Sequence, residues 1–589
     1  NLLLWIMAVS YAPVAWSLLA CVLFAERPPV PVERPVLTLP AGRFRAERLR
    51  LDGGLGASFI RLRGVQYAEH PVGQLRWQPP QNLPRASIED EPVDATAFGP
   101  DCVNAPWNDR LLSIGLANMS EACLYLNVWM PDLAEGSTSR LPVMFWIHGG
   151  SFTSGGSTLY DGDNVMRLRR DVALVTTNYR LGALGFLGGS AVARRSSDGS
   201  SGNFGLQDTR ASLQWVQQNI GALGGDSARV TIFGESAGAS LVATHLVALR
   251  SAGLFSAAIM QSGAFDNYTV QTDPEDNFLR FADLAGCGGS GKDLDIVLKC
   301  LTARPLEAFF QQSLLPALAK TNADGLFSPA VDGVELTASP EVLAARGQIN
   351  AVDGVILGAN ENEGRYLMPI EMPVPGAPRT TATQFRQWLR SQFSEAMVEK
   401  VITRYPVSNF HGSYWRAAAK IFTDSQYSCP TRRSARWLLQ SGRVREGRVF
   451  TYQLRYEALA FSLIGDVLYW YEWCKSWSLC LNATTVPVGV GHTADVILVW
   501  NVPLALWMPN DRLMAHRMVN WWQDFAASYN PSGGFPQKPW PTFGDANQTM
   551  LVQLKPDVAV GLREKMCDFW DSMHPVPYRD TGRHPGSSR

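Results

Sequence analysis

A large, mostly parallel β-sheet with helices on both faces is the fold class that three observations predict. Pro142 to Ile147 and Val172 to Thr177 are short runs with almost no polar residue, as strands buried on both faces require. The stretch Val230 to Leu241 reads as strand, sharp turn and helix around Gly234-Glu235-Ser236-Ala237-Gly238. Further apolar runs at Ala257 to Met260, Val355 to Leu357 and Val449 to Leu454 follow, with room for helices between them.

The elements follow in chain order. Residues 1–25 carry no charge and are mostly apolar, which predicts a secretory signal or signal anchor, with Cys21 inside it. Residues 26–34 are a Pro-rich linker, 35–577 form one domain, and the polar segment 578–589 is predicted to be disordered. Val36 to Val65 alternates and predicts an N-terminal β-meander. Cys123 to Trp129 is a strand, and the Pro142 strand ends in the glycine-rich loop His148-Gly149-Gly150-Ser151-Phe152. Asp208 to Ile220 is an amphipathic helix, with Leu213, Val216 and Ile220 on one side.

Composition limits the function classes. Of 589 residues 46% are hydrophobic and 18% charged, enough for a large core. A net charge of −1, without long runs of like charge, argues against nucleic acid as a partner. Eight cysteines remain outside the leader, an even number that suits an oxidising compartment. Asn118, Asn267, Asn482 and Asn547 head glycosylation sequons, which agrees with a secretory route.

The turn at Ser236 carries the chemistry. A serine on a strained strand-to-helix turn needs small residues two positions to either side, and Gly234 and Gly238 supply them. The bland alternative is a surface serine between two loop glycines; the flanking strand and helix argue for a nucleophile. Its base must lie downstream with an acid in between, which leaves His411, His492, His516, His574 and His584. His492 sits in the glycine-rich loop 487–495 between apolar segments, where a loop at strand ends would fall. Glu363 lies just past the carboxyl end of the Val355 strand, where sites collect. Asp353 is a rival, and local sequence does not separate Glu361 from Glu363. Backbone N–H groups of Ala237, Gly150 and Ser151 are the expected oxyanion donors.

Together these residues resemble the type-B carboxylesterase/cholinesterase family of α/β-hydrolases, over about residues 35–575. The match is carried by Glu121 to Trp129, by Phe233 to Ala239, by Gly202 to Asp208 and by Gly224-Gly225-Asp226. The resemblance implies an α/β-hydrolase fold and a secreted serine esterase with a Ser236–Glu363–His492 triad. It selects Glu363 through the pattern Gly358 to Gly364, and it implies no metal and no cofactor. It implies the disulfides Cys102–Cys123, Cys287–Cys300 and Cys429–Cys567; a local bridge between the additional Cys474 and Cys480 is inferred. It marks Arg76–Glu121 and Arg180–Asp208 as structural ion pairs.

It also implies a small-molecule ester substrate, pairing of two copies through C-terminal helices at 558–573, and contact with a membrane only if the N-terminal segment is uncleaved. Three departures argue against choline. Spacing puts Ser113, not Trp107, where cholinesterases stack choline; Ala323 and Gly325 replace acyl-pocket aromatics before Pro329; and Tyr366 alone is left for an aromatic gorge. Glu235 matches the cholinesterase residue beside the nucleophile, or is simply bonded to the turn backbone. A non-catalytic adhesion protein of the neuroligin kind is the alternative on the same fold, but such members lose a triad residue, and all three are filled here.

Overall fold

The structure is a computed structural model. It describes residues 29–51, 57–84, 90–103, 118–132, 139–266, 270–271, 273–288, 291–306, 309, 327–371, 380–459, 489–533 and 538–573. The leader, the tail, Cys474 and Cys480, Asn267 and Asn482, Trp107 and Ser113, Ala323 and Gly325, and His574 and His584 lie outside the described residues.

Twelve strands form the central sheet: β1 (Val30–Glu33), β2 (Glu47–Arg50), β3 (Ser58–Gln66), β4 (Tyr125–Pro131), β5 (Leu141–Ile147), β6 (Ala173–Thr177), β7 (Gly225–Glu235), β8 (Ala257–Gln261), β9 (Gly354–Asn360), β10 (Val449–Leu454), β11 (Gln548–Val552) and β12 (Asp557–Val560). Their spatial order is β1-β2-β3-β4-β6-β5-β7-β8-β9-β10-β11-β12. From β6 to β11 all neighbours are parallel, and antiparallel strands flank them on both sides. This is the large, mostly parallel sheet of an α/β-hydrolase. The expected N-terminal meander is different: Val36–Leu39 and Gly42–Arg45 leave the main sheet and pair with Val93–Asp94 in a small sheet of their own. Alternation marks strands but not their partners, so sequence could not separate the two sheets.

Both faces of the sheet are covered, and the side-chain period of two explains the apolar runs. Along β5, Val143, Phe145 and Ile147 enter one core, while Met144 and Trp146 enter the other. The first core is closed by helices α1 (Phe204–Asn219) and α2 (Ala237–Val247), through Leu213, Val216, Leu241 and Leu246. The second is closed by α6 (Ala494–Val499) and α7 (Pro509–Ser528), through Leu498, Met514, Met518 and Phe525. A third core joins α3 (Glu363–Glu371), α4 (Tyr414–Thr423) and α8 (Glu564–Ser572), with Cys429 at the start of α5 (Cys429–Ser441). The segment 558–573, read from sequence as helical, starts as the edge strand β12; only α8 is helix, and Cys567 and Trp570 on it are buried.

Three disulfides join Cys102 to Cys123, Cys287 to Cys300 and Cys429 to Cys567. The last closes a sequence separation of 138 residues. Loop-closure entropy makes such a bond worth about 4–5 kcal/mol. Replacing both Cys429 and Cys567 by Ser is therefore expected to lower unfolding free energy by up to about that amount, read from the denaturant midpoint. An unchanged midpoint would refute the assignment of α8 as a tied-down element. Arg76 donates to both carboxylate oxygens of Glu121, each at 2.6 Å, and Arg180 clamps Asp208 at 2.7 and 2.6 Å. Among the described residues no helix is long and apolar enough to cross a membrane.

Candidate active site

The turn at Ser236 sits where β7 becomes α2. Ser236 has φ 57° and ψ −125°, a strained conformation for a residue with a Cβ. It persists because its surroundings over-determine it. The Ser236 N–H donates to the Gln261 carbonyl of β8 at 2.9 Å, and the Ser236 carbonyl accepts the Ser240 N–H at 2.9 Å. The neighbouring glycines are steric requirements: a Cβ on Gly238 would lie 2.0 Å from the Ile147 carbonyl oxygen, and one on Gly234 2.6 Å from the Gly238 carbonyl carbon. The result lifts the hydroxyl off the sheet at the N-terminus of α2, beside the Ala237 N–H.

The glycine loop after β5 lies against this turn. A Cβ on Gly149 would meet the Glu235 carbonyl oxygen at 2.7 Å and Ser236 Cβ at 3.2 Å. Gly150 has φ +110°, and its carbonyl accepts the N–H groups of Thr153 at 3.0 Å and Ser154 at 2.9 Å. Ser151 and Phe152 follow at φ 55° and 63°, so two residues with side chains hold left-handed backbone. Beneath the loop, the buried His148 ring stacks on Tyr179 at 4.5 Å, and burial lowers its pKa to about 4. The glycine loop thus packs against the serine turn through Gly149.

Glu363 opens α3 immediately after β9 and is fully buried. Its Oε2 lies 2.7 Å from His492 Nδ1. Its Oε1 accepts the Asn360 N–H and the Ser262 hydroxyl, each at 2.6 Å. These contacts fix the orientation of the carboxylate and leave Oε2 facing the imidazole. The rivals point elsewhere: Glu361 lies 3.4 Å from Arg455, and Asp353 lies 3.6 Å from Arg445. The other candidate histidines among the described residues make no hydrogen bond or ion pair with Glu363. His411 is exposed at the end of a short 3₁₀ turn, and His516 on α7 faces Asn520 at 3.2 Å.

His492 leads into α6, with Thr493 at φ 70° making the turn. Its Nε2 lies 3.3 Å from Glu235 Oε1, and among the described residues the Ser236 hydroxyl makes no hydrogen bond. Glu235 is thus more than a carboxylate bonded to the turn backbone. Burial pushes its pKa up to about 8, with His492 and the Thr493 N–H working against the shift. Burial pulls His492 down, but Glu235, the bond to Glu363 and Asp495 outweigh it and hold it at about 9. Tyr427 packs against the imidazole, with 5.1 Å between ring centres and the rings tilted by 51°. Tyr366 is partly buried near Glu235; burial first, and the Glu235 charge second, raise its pKa.

Both raised values have the same sign of linkage. Between 4.5 and about 8 the folded chain keeps a Glu235 proton that the unfolded chain has lost. This stabilisation is complete below 4.5 and is lost as pH rises through about 8; His492 behaves alike between 6.5 and about 9. Glu235→Gln is expected to flatten the fall of stability with pH between these values and to lower the His492 pKa. Denaturant midpoints across pH and an NMR titration of His492 check it. A His492 pKa unchanged by the substitution would show that Glu235 does not act on it.

Sequence reasoning missed Ser262, Asn360 and Tyr427. Ser262 had a usable signal, since it directly follows β8 at a strand carboxyl end. Tyr427 had none, because nothing local ties it to a loop 65 positions away. Among the described residues no group of three or more His, Cys, Asp or Glu is arranged to hold a metal ion.

Two comparisons with known proteins give matches across nearly the whole chain. A sequence model of the carboxylesterase family matches residues 33–570. A cholinesterase of Mus musculus is 28% identical over 602 aligned positions, covering 96% of this chain and 91% of that protein.

Proposed function

The chain belongs to the carboxylesterase family, and from that premise we propose that it is a serine carboxylic ester hydrolase with Ser236 as nucleophile, His492 as base and Glu363 as the acid that orients it. Ser236 attacks the ester carbonyl, and His492 takes its proton and returns it to the leaving alcohol. Ala237, Gly150 and Ser151 donate N–H groups to the oxyanion. Water then enters on the same histidine and releases the acyl group from Ser236. Acting as base requires a neutral imidazole, which the raised pKa of about 9 opposes while Glu235 faces it, so Nε2 must give up that proton and exchange its Glu235 neighbour for the Ser236 hydroxyl.

The observation that carries this reading is the 2.7 Å contact of Glu363 with His492 beside a strained serine turn packed on a glycine loop. The test is hydrolysis of p-nitrophenyl acetate and butyrate, together with labelling by a fluorophosphonate. Turnover with stoichiometric label on Ser236 supports the reading. A folded protein that is inert to both and holds a protein partner instead would be a binding member of the same fold.

The substrates proposed are carboxylic esters of broad kind rather than choline esters, because the sequence offers too few ring faces to enclose a quaternary ammonium. Hydrolysis of thiocholine esters faster than p-nitrophenyl esters would overturn that. The proposed route is secretory. Asn118 is exposed and Asn547 half-exposed on a left-handed turn, so both are accessible to glycosylation. Pairing of two copies, if it uses the C-terminal segment, would rest on α8.

A further inference from the structure

Between α4 and α5 the chain makes one π-helical turn, Asp424–Ser428. Such turns insert an extra residue into a helix and are kept only where something holds them. Here a buried charge cluster does so. Asp424 is fully buried. Its carboxylate accepts the Tyr405 hydroxyl at 2.9 Å, pairs with Arg563 at the start of α8, and lies 3.2 Å from Lys420 Nζ, one turn back on α4. Burial pulls the Lys420 pKa down, and Asp424 works against that. The Arg563 carbonyl accepts the Cys567 N–H at 2.9 Å, and Cys567 is bonded to Cys429, which directly follows the π-turn.

Two arms lead from this turn to the site. Tyr427, on the turn, packs against the His492 ring, 5.1 Å between centres and tilted by 51°. Thr423, immediately before it, accepts the Gly364 N–H at 3.0 Å on its hydroxyl, and Gly364 follows Glu363. That hydroxyl donates in turn to the Ala419 carbonyl at 2.8 Å. The helices meet closely here, since a Cβ on Gly364 would lie 2.2 Å from the Ala419 carbonyl oxygen. The same short segment thus touches the imidazole and the residue next to its carboxylate partner.

We propose that Asp424 is a positioning residue for the Glu363–His492 pair, fixing a π-turn that seats Tyr427 on the imidazole and ties Thr423 to the start of α3. The proposal rests on the reading of His492 as the base. Asp424 touches no reacting atom and acts through Tyr427 and Thr423. Misplacing a catalytic group by a fraction of an ångström lowers turnover without changing how substrate binds. A cluster serving stability alone would change melting and leave turnover as it is.

The test uses the full chain with Asp424→Asn, Tyr427→Ala and the double variant. Readouts are kcat and KM for p-nitrophenyl acetate, the melting temperature, and the low-field proton NMR signal of the His492 Nδ1–H. Each single variant is expected to lower kcat about tenfold with KM within about twofold. The double variant is expected to fall little below the worse single, because both act on one ring. The low-field signal is expected to move in all three. If Asp424→Asn melts lower but keeps wild-type kcat and the wild-type signal, the proposal is wrong. It is equally wrong if the double variant loses the product of the two effects, about a hundredfold. If Asp424→Asn does not fold, Arg563→Gln, which removes one partner of the carboxylate, is expected to show a smaller kcat loss of about threefold with the low-field signal moved; unchanged kcat and signal there overturn the proposal. An inert wild type would refute the esterase reading instead, and the NMR signal would still decide whether Asp424 positions His492.

Discussion

Ser236→Ala is expected to lower kcat for p-nitrophenyl acetate by about 10⁵–10⁶-fold and to abolish fluorophosphonate labelling, with KM and melting temperature close to wild type. The loss is large because no acyl-enzyme can form, and general-base hydrolysis within the oxyanion loop is all that remains. The fold should tolerate the change. The strain at this position belongs to the backbone, held by the Gln261 and Ser240 bonds, and alanine keeps the same Cβ. The removed hydroxyl has no hydrogen bond to lose among the described residues. Steady-state kinetics with mass spectrometry of the labelled chain give the answer. A variant that keeps its turnover or its label would falsify the assignment of the nucleophile.

Glu363→Gln is expected to lower kcat by about 10³–10⁴-fold at neutral pH. The surroundings dictate which way the amide faces. The Oε1 side meets two donors, the Asn360 N–H and the Ser262 hydroxyl, so the amide oxygen must occupy it. The NH₂ group then faces His492 Nδ1 and forces that nitrogen to accept. The ring proton moves to Nε2, which can no longer take a proton from serine. The stabilising charge for the imidazolium is lost as well. The control is Glu361→Gln, two positions earlier, which pairs with Arg455 and is expected to change kcat less than about twofold. Equal losses from both substitutions would mean that the acid has been misassigned.

The two residues that local pattern marked best, Ser236 and His492, are those with local reasons for their position. One needs small residues around a strained turn, and the other sits in a glycine-rich loop between apolar segments. The choice between two neighbouring glutamates was different. Glu361 and Glu363 share the same strand end, and only the start of α3 decides which carboxylate turns inward and which meets Arg455. The resemblance to known esterases selected Glu363 before the geometry did. The N-terminal strands show the same limit: their alternation was legible, but their division between two sheets was not.

By itself, the sequence determined the sheet, the helices over both faces and the strained serine turn. These depend on side-chain period, apolar runs and glycine sterics within a few residues. Only the tertiary structure decided that Glu235 faces His492, that Ser262 and Asn360 brace Glu363, that Tyr427 meets the His492 ring, and that Asp424 is buried against Tyr405 and Arg563. Those contacts join residues from separate strands and helices. Their physics is burial and charge at distances of a few ångströms, which no local spacing in the chain encodes.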